Sequence, residues 1–141
     1  LIPVMAKVLC GLGIRHAMVV HGEDGFDEIS ISAPTKVAEI KDGGIFEYTI
    51  TPEQFGLPLA EKEEVVGGSP EENALITQGI LAGTIRDAKR NIVLLNAGCA
   101  LYVVGQAGSI GDGVALAAEM IDSGAALAKL EELKQFTNAL A

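Results

Sequence analysis

Residues 17–28 read AMVVHGEDGFDE, and this stretch decides the fold class of the chain. Its apolar first part, residues 17–20, is too short for a helix and predicts a buried strand of a largely parallel sheet. The acidic, glycine-punctuated residues 22–28 predict a loop at the carboxyl end of that strand. Open α/β sheets place their ligands at that end, so this loop is the first candidate for a functional site.

A helix is predicted before the strand, over residues 3–12, because Pro3 suits a first helical turn and Gly13 a C-terminal stop. Its predicted apolar face comprises Val4, Val8, Leu9 and Leu12. Leu1 reads as part of a helix already under way, so we expect a chain whose front is missing. A helix followed by a strand is typical of the α/β class.

After the acidic loop, the sequence predicts a β-hairpin. Residues 35–40 and 45–50 are rich in strand-forming residues, and the Asp42-Gly43 pair between them favours a tight turn. Thr51-Pro52-Glu53 then combines an N-cap, a first-turn proline and an acidic first turn, which predicts a short helical piece ending near Gly56.

The second half of the chain is predicted to be helical. Ser69 and Glu72 have the spacing of a capping box, which opens a helix over residues 70–81. Residues 87–104 could contain a buried strand, but their length favours a helix that is buried almost all round. Two more helices are predicted, one capped by Ser109 with Asp112, and a final one opened by Ser123. The final helix has an apolar stripe made of Leu127, Leu130, Leu133 and Phe136.

Composition limits what the chain can be. Hydrophobic residues make up 49% and charged residues 21%, which predicts a large buried core. The longest nearly apolar stretch, residues 92–104, is shorter than the roughly 20 residues that span a bilayer, which argues against a membrane protein. A net charge of −9 argues against nucleic-acid binding. Cys10 and Cys99 have no metal-ligand spacing and predict buried, reduced thiols in a cytoplasmic protein.

The acidic loop has the chemistry of a divalent-cation site. Glu23, Asp24, Asp27 and Glu28 put four carboxylates within six residues. Magnesium prefers carboxylates, water and substrate phosphate to a full protein cage, so one or two of these carboxylates suffice. Neighbours on an extended strand point to opposite faces, so Asp27 and Glu28 could share one ion only if the backbone turns there; otherwise they serve two ions, or the loop is simply solvated.

Three other polar features have mainly structural interpretations. His21 could act as a base or ligand, but is more often a hydrogen-bonded structural imidazole. Gly67-Gly68-Ser69 could bind an anion at a helix N-terminus, although capping by Ser69 is the simpler interpretation. Asn96 lies in an apolar helix and is predicted to be a satisfied structural amide. No dinucleotide or P-loop motif is present.

Residues 21–30, HGEDGFDEIS, closely resemble the H-G-x-D-G-[LF]-D-E-[IL]-[ST] segment of the anthranilate phosphoribosyltransferase family. Three further blocks agree with the family in order, so the resemblance covers nearly the whole chain. They are TPEQFGL at 51–57, GGSPEENA at 67–74, and LLNA at 94–97 with the later IDSGA at 121–125.

The resemblance implies a fold, a reaction and a metal site. It implies the C-terminal portion of a mostly parallel sheet-and-helix domain of the nucleoside phosphorylase/phosphoribosyltransferase type, as a single-domain fragment over residues 1–141. The family joins anthranilate to the ribose of phosphoribosyl pyrophosphate in tryptophan biosynthesis, releasing pyrophosphate. By resemblance, Asp27 and Glu28 are the Mg²⁺ ligands at the pyrophosphate.

The family's helical N-terminal domain and Gly-rich phosphate loop have no counterpart in these residues. We therefore expect this chain alone to be inactive, with no catalytic or cofactor-binding residue besides the metal ligands, and to form a homo-oligomer or pair with a complementing chain. Three alternatives stay open: a non-catalytic interaction module with the same fold, a nucleic-acid-binding paralogue, which the net charge of −9 disfavours, and a pyrimidine nucleoside phosphorylase, which the matched blocks disfavour.

Overall fold

Five α-helices, two 3-10 helices and three strands make up the part of the chain that the computed structural model describes, residues 1–140. The chain begins with helix α1 (Ile2–Gly11), strand β1 (His16–Gly22), strand β2 (Thr35–Lys41) and strand β3 (Gly44–Ile50). Two 3-10 helices follow, Pro52–Phe55 and Lys62–Val65. The remaining elements are α2 (Pro70–Leu81), α3 (Ala88–Val103), α4 (Ile110–Asp122) and α5 (Ala125–Asn138). The predicted α/β class, the hairpin and the run of C-terminal helices are confirmed.

The strands form one antiparallel sheet in the order β1-β2-β3, with Val19 opposite Ala38 and Ala38 opposite Glu47. Asp42 (φ 51°) and Gly43 (φ 78°) form the predicted two-residue hairpin turn. Within residues 1–140 the pairing thus differs from the predicted largely parallel one. The reason lies in the loop after β1: the Glu23 N–H donates to the Pro34 carbonyl (2.9 Å), which closes the loop at its base. A parallel connection would need a crossover, whereas this closed loop returns β2 directly beside β1.

The sheet lies between helices on both faces. The larger core, on one face, joins Val37 and Ile50 to buried residues of α3 and α4 such as Leu95 and Ile121. On the other face, Ala6 of α1 packs against Ala38 and Ile40 in a smaller core. β1 is half-buried rather than buried, since its outer edge has no strand neighbour among residues 1–140.

Helix α1 is where predicted, but its apolar face is not the buried one. Val4, Val8 and Leu12 are 63%, 51% and 73% exposed, whereas Ala6 is fully buried. The small Ala6 side chain lets the helix approach Ala38, and this close approach sets which face is buried. Of the predicted face, Leu9 packs on the sheet.

The predicted starts of α2 and α4 are confirmed. The Ser69 hydroxyl accepts from the Glu72 N–H (3.3 Å), while the Glu72 carboxylate accepts from the Ser69 N–H (2.7 Å). In α4, Ser109 caps the Asp112 N–H (3.1 Å). The prediction that Ser123 opens α5 is wrong: Ser123 ends α4, and Gly124, with φ 80°, is the N-cap of α5. Only a glycine adopts that conformation without strain.

Helices α3 and α5 differ in burial. α3 is buried over much of its surface, as predicted, and contains Leu94, Leu95 and Cys99 in the core. α5 carries the predicted apolar stripe, but Leu133 and Phe136 are exposed.

Both cysteines are free. Cys10 is half-buried, and burial together with the Glu39 charge raises the pKa of the Cys99 thiol to about 12. The longest apolar helices among residues 1–140 fall short of a membrane span.

Removing the cap of α2 tests the capping box. Ser69→Ala is expected to lower the free energy of unfolding by about 1 kcal/mol, because the Glu72 N–H loses its acceptor. Urea denaturation followed by circular dichroism measures the change. Thr77→Ala, later in the same helix, is the matched control, since its hydroxyl only donates to the already paired Asn73 carbonyl. An equal effect of both substitutions would contradict a special role for the cap.

Candidate functional site

The candidate site is the loop over residues 23–34, which connects β1 to β2. Gly22, the last residue of β1, precedes the loop, and a Cβ atom there would lie 2.5 Å from Asp24 Oδ1 and 3.1 Å from Ser30 Cβ. The chain therefore turns tightly against itself, with the Gly22 N–H donating to the Phe26 carbonyl (3.0 Å). This turn brings the four carboxylates of the loop into different surroundings.

Two of those carboxylates are already used by the chain. Asp24 accepts hydrogen bonds from the hydroxyls of Ser30 (2.5 Å) and Ser32. Burial opposes the ionisation of Asp24, but these bonds outweigh burial and hold its pKa below the ordinary value. Glu23 lies 3.4 Å from the Lys36 ammonium in an exposed ion pair. Asp24 is therefore a structural residue that folds the loop.

The other two carboxylates are free. Asp27 and Glu28 are exposed, the backbone bends at both residues, and neither forms a hydrogen bond or ion pair with any residue from 1 to 140. Partial burial and the adjacent Asp27 charge raise the pKa of Glu28. A like-charge pair without a counter-ion is electrostatically suited to a cation. The backbone at both residues is bent rather than extended, so the two side chains are not forced to opposite faces as they would be on a strand.

Asp27 also lines a cavity of about 730 Å³ between α1 and the sheet, and Glu28 is not part of its lining. His21, Lys36 and Glu47 line the same cavity, and its apolar lining includes Ile2 and Met5 of α1 and Val19, Val20 and Val37 of the sheet. His21 is exposed and its ring forms no hydrogen bond with residues 1–140, so it is not the hydrogen-bonded structural imidazole that was predicted.

No three His, Cys, Asp or Glu residues between positions 1 and 140 are grouped to enclose a metal ion. The Asp27–Glu28 pair offers two carboxylates and no third protein ligand from residues 1–140, so an Mg²⁺ ion there would need further oxygen ligands from water or substrate phosphate. The alternative anion site at residues 67–69 is disfavoured, because the Gly68 and Ser69 N–H groups already donate to Asn73 and Glu72.

Two residues that contact the loop come from distant parts of the chain. The Lys62 ammonium donates to the Asp24 carbonyl (2.9 Å) and lies 4.7 Å from the centre of the Phe26 ring. Asn96 of α3 is a satisfied amide, as predicted, and its partner is Ile29 of the loop. Sequence reasoning did not find Lys62 or the partner of Asn96, because nothing local marks pairs separated by 38 and 67 residues.

A second polar cluster, also missed, lies within the larger core. The Glu39 carboxylate on β2 accepts from the hydroxyls of Tyr48 (2.8 Å) and Tyr102 (2.8 Å) and lies 2.8 Å from His16 Nε2. The Lys41 ammonium donates to the Tyr102 hydroxyl (3.0 Å). Burial opposes the ionisation of Glu39, but the three hydrogen bonds outweigh burial and lower its pKa. This cluster connects all three strands to α3.

Comparisons with known proteins agree with this fold. The model of the a/b domain of the glycosyl transferase family matches residues 1–127. The chain belongs to this family. Its curated relatives are anthranilate phosphoribosyltransferases: that of Methanobrevibacter smithii is 49% identical over 139 residues, 99% of this chain, and that of Haloarcula marismortui is 52% identical over 133 residues, 94% of this chain. The chain spans only 41% and 40% of the length of these two relatives.

Solved structures show the same similarity. The anthranilate phosphoribosyltransferase of Thermus thermophilus superposes with a TM-score of 0.84 at 39% identity, over 93% of this chain and 38% of that one. The Saccharomyces cerevisiae enzyme, in complex with PRPP and Mg, superposes with a TM-score of 0.81 at 29% identity, over 92% of this chain and 38% of that one. The chain is therefore related to anthranilate phosphoribosyltransferases in both sequence and fold.

Proposed function

We propose that this chain is the part of an anthranilate phosphoribosyltransferase that holds Mg²⁺ at the diphosphate of phosphoribosyl pyrophosphate, through Asp27 and Glu28. One observation carries the proposal: of the four carboxylates in the loop, these two alone are left unpaired by residues 1–140. The yeast relative, whose structure contains PRPP and Mg, supports the choice of ligand.

In the proposed reaction the ribose C1–O bond to pyrophosphate breaks, a C1–N bond to anthranilate forms, and the anthranilate nitrogen loses a proton. Bound Mg²⁺ would neutralise the negative charge on the leaving pyrophosphate. Asp27 and Glu28 fix the position of that charge, while Asp24, held by two serine hydroxyls, keeps the loop folded. In the full-length enzyme, loss of either free carboxylate should reduce turnover more than stability.

Binding of pyrophosphate tests the role of the pair. In isothermal titration calorimetry we expect pyrophosphate to bind this chain when Mg²⁺ is present and not when EDTA replaces it. Asp27→Ala should abolish the binding heat, because only one carboxylate remains for the ion. Glu131→Ala, an exposed acid on α5, is the control and should leave binding unchanged. Binding that is absent in the unmodified chain, or equal in Asp27→Ala, would favour the non-catalytic interaction module.

We further propose that this chain alone does not catalyse the transfer, since it spans about two fifths of the length of its relatives. Incubation with anthranilate, phosphoribosyl pyrophosphate and Mg²⁺ should leave the anthranilate fluorescence constant. A magnesium-dependent fall in fluorescence would refute this.

We also propose that the protein is cytoplasmic and forms a homo-oligomer. Free thiols are typical of the cytoplasm, and the exposed apolar residues of α1, among them Val4 and Leu12, favour self-association.

A further inference from the structure

The side chain of Asn96 makes three hydrogen bonds from the middle of α3. Its Oδ1 accepts from the Ile29 N–H (3.0 Å), and its Nδ2 donates to the carbonyls of Ile29 (2.8 Å) and Ile92 (3.0 Å). These partners fix the orientation of the amide, because a flipped amide would place a donor against an N–H and an acceptor against two carbonyls. Asn96 thus satisfies both backbone groups of Ile29, as a neighbouring strand would.

The position of Ile29 gives this contact its importance. Ile29 directly follows Glu28, and its own side chain is buried in the larger core. On the other side of the pair, the Phe26 carbonyl is held by the Gly22 N–H (3.0 Å). Asp27 and Glu28 therefore form no hydrogen bonds themselves among residues 1–140, while the residues on either side of them, Phe26 and Ile29, are held by hydrogen bonds. The hydrogen bonds of Ile29 come from Asn96.

An asparagine is a poor choice for this position on local grounds. It has a lower helix propensity than alanine or leucine, and its neighbours Leu95 and Ala97 are apolar. Within residues 1–140, Asn96 is the one residue of α3 whose side chain hydrogen-bonds to the loop, through two bonds to Ile29. The half-buried amide of Asn96 is explained by its hydrogen bonds to Ile29 of the loop.

We propose that Asn96 is a positioning residue, which sets the arrangement of the Asp27 and Glu28 carboxylates for the metal ion. This inference rests on the proposed function, since it assigns a purpose to the contact only if the pair binds a cation. Residues that orient metal ligands without touching the metal typically change the affinity about 10- to 100-fold when replaced. We expect a loss of about tenfold or more in the affinity of the pair for a divalent cation.

The test uses Mn²⁺ as a paramagnetic probe, with and without pyrophosphate, and follows the broadening of backbone amide resonances by NMR. Asn96→Asp keeps the acceptor for the Ile29 N–H but loses both donated bonds. Asn96→Ser is the neutral second variant, which carries the test if the buried carboxylate prevents folding. Asn91→Ala is the control on the same helix, since the Asn91 side chain forms no hydrogen bond among residues 1–140. Thermal unfolding is measured in parallel.

In the unmodified chain, broadening should be centred on residues 27–28 rather than on the exposed acidic pair Glu131 and Glu132. Either Asn96 variant should need about tenfold more Mn²⁺ or more, with Asn91→Ala unchanged. Variants that lower the unfolding midpoint but keep the Mn²⁺ affinity would overturn the positioning role and leave the proposed function standing. No preference for residues 27–28 in the unmodified chain would overturn the metal role of the pair, and the inference with it.

Discussion

Replacing Gly113 by alanine is expected to lower the free energy of unfolding by about 3 kcal/mol. Gly113 of α4 packs directly on Gly98 of α3, and a Cβ at Gly113 would lie 2.9 Å from the Gly98 carbonyl carbon and closer still to its oxygen. The obstructing atoms are backbone in a buried helix, so they cannot rotate away as the end of a flexible side chain could. The two helices would have to separate, which opens gaps in the larger core.

Gly111→Ala is the matched control, since Gly111 lies on the same helix and a Cβ there would lie 3.8 Å from the nearest atom, the Ser109 hydroxyl oxygen. That substitution should raise the free energy of unfolding by up to about 1 kcal/mol, because alanine favours the helix more than glycine does. Urea denaturation of both variants measures the two changes. Opposite signs are expected, and a Gly113→Ala variant as stable as Gly111→Ala would contradict the close helix crossing.

Replacing Glu39 by leucine is expected to lower the free energy of unfolding at neutral pH by about 3 kcal/mol. The hydroxyls of Tyr48 and Tyr102 would lose their acceptor, as would the His16 ring, and each is at least half-buried. A buried donor that loses its partner keeps its desolvation cost, typically about 1–3 kcal/mol. Glu47→Leu, an exposed position on β3, is the control and should change the stability by less than about 0.5 kcal/mol.

The stability difference between the unmodified chain and Glu39→Leu is also expected to depend on pH. The pKa of Glu39 is lower in the folded chain than its ordinary value of 4.5, so its ionised form stabilises the fold. That contribution is fully present above pH 4.5 and is lost as the pH falls through the lowered pKa. The difference in stability between the unmodified chain and Glu39→Leu should therefore shrink in acid. A difference that stays constant from pH 7 down to the acid-unfolding range would contradict an ionised Glu39 at the centre of the cluster.

The fold elements that sequence predicted best depend on contacts between near neighbours. The capping bonds of Ser69 and Ser109 join residues three apart, and the Asp42-Gly43 turn needs only two residues with positive φ. Such interactions form in the same way wherever the segment lies, so residue types and spacing are enough to predict them. The error at Ser123 also concerns a local interaction. Serine is a good N-cap, but here the next residue, Gly124, adopts the left-handed conformation that joins α4 to α5.

The candidate site was only half predictable. Sequence supplied the four acids and, by resemblance, the metal ligands Asp27 and Glu28, whose role stays a proposal. Without the resemblance, the residues alone could not separate Asp24 from this pair, because that depends on how the loop turns Ser30 and Ser32 onto one carboxylate and not the others. The anchor that Asn96 provides for Ile29 was likewise out of reach.

By itself, then, the sequence determined the class of the chain, the places where α2, α4 and the hairpin turn begin, and the loop that holds the acids. These follow from short-range sterics, local hydrogen bonds and hydrophobic periodicity. Only the tertiary structure decided the antiparallel partner of β1, the buried face of α1, the Glu39 cluster and which carboxylates remain free. Each of these depends on contacts beyond the range of a single turn, from the six to eight residues between Asp24 and its serine partners to the 63 between Glu39 and Tyr102. Such contacts are set by how the segments fold and pack together rather than by residue types and local spacing.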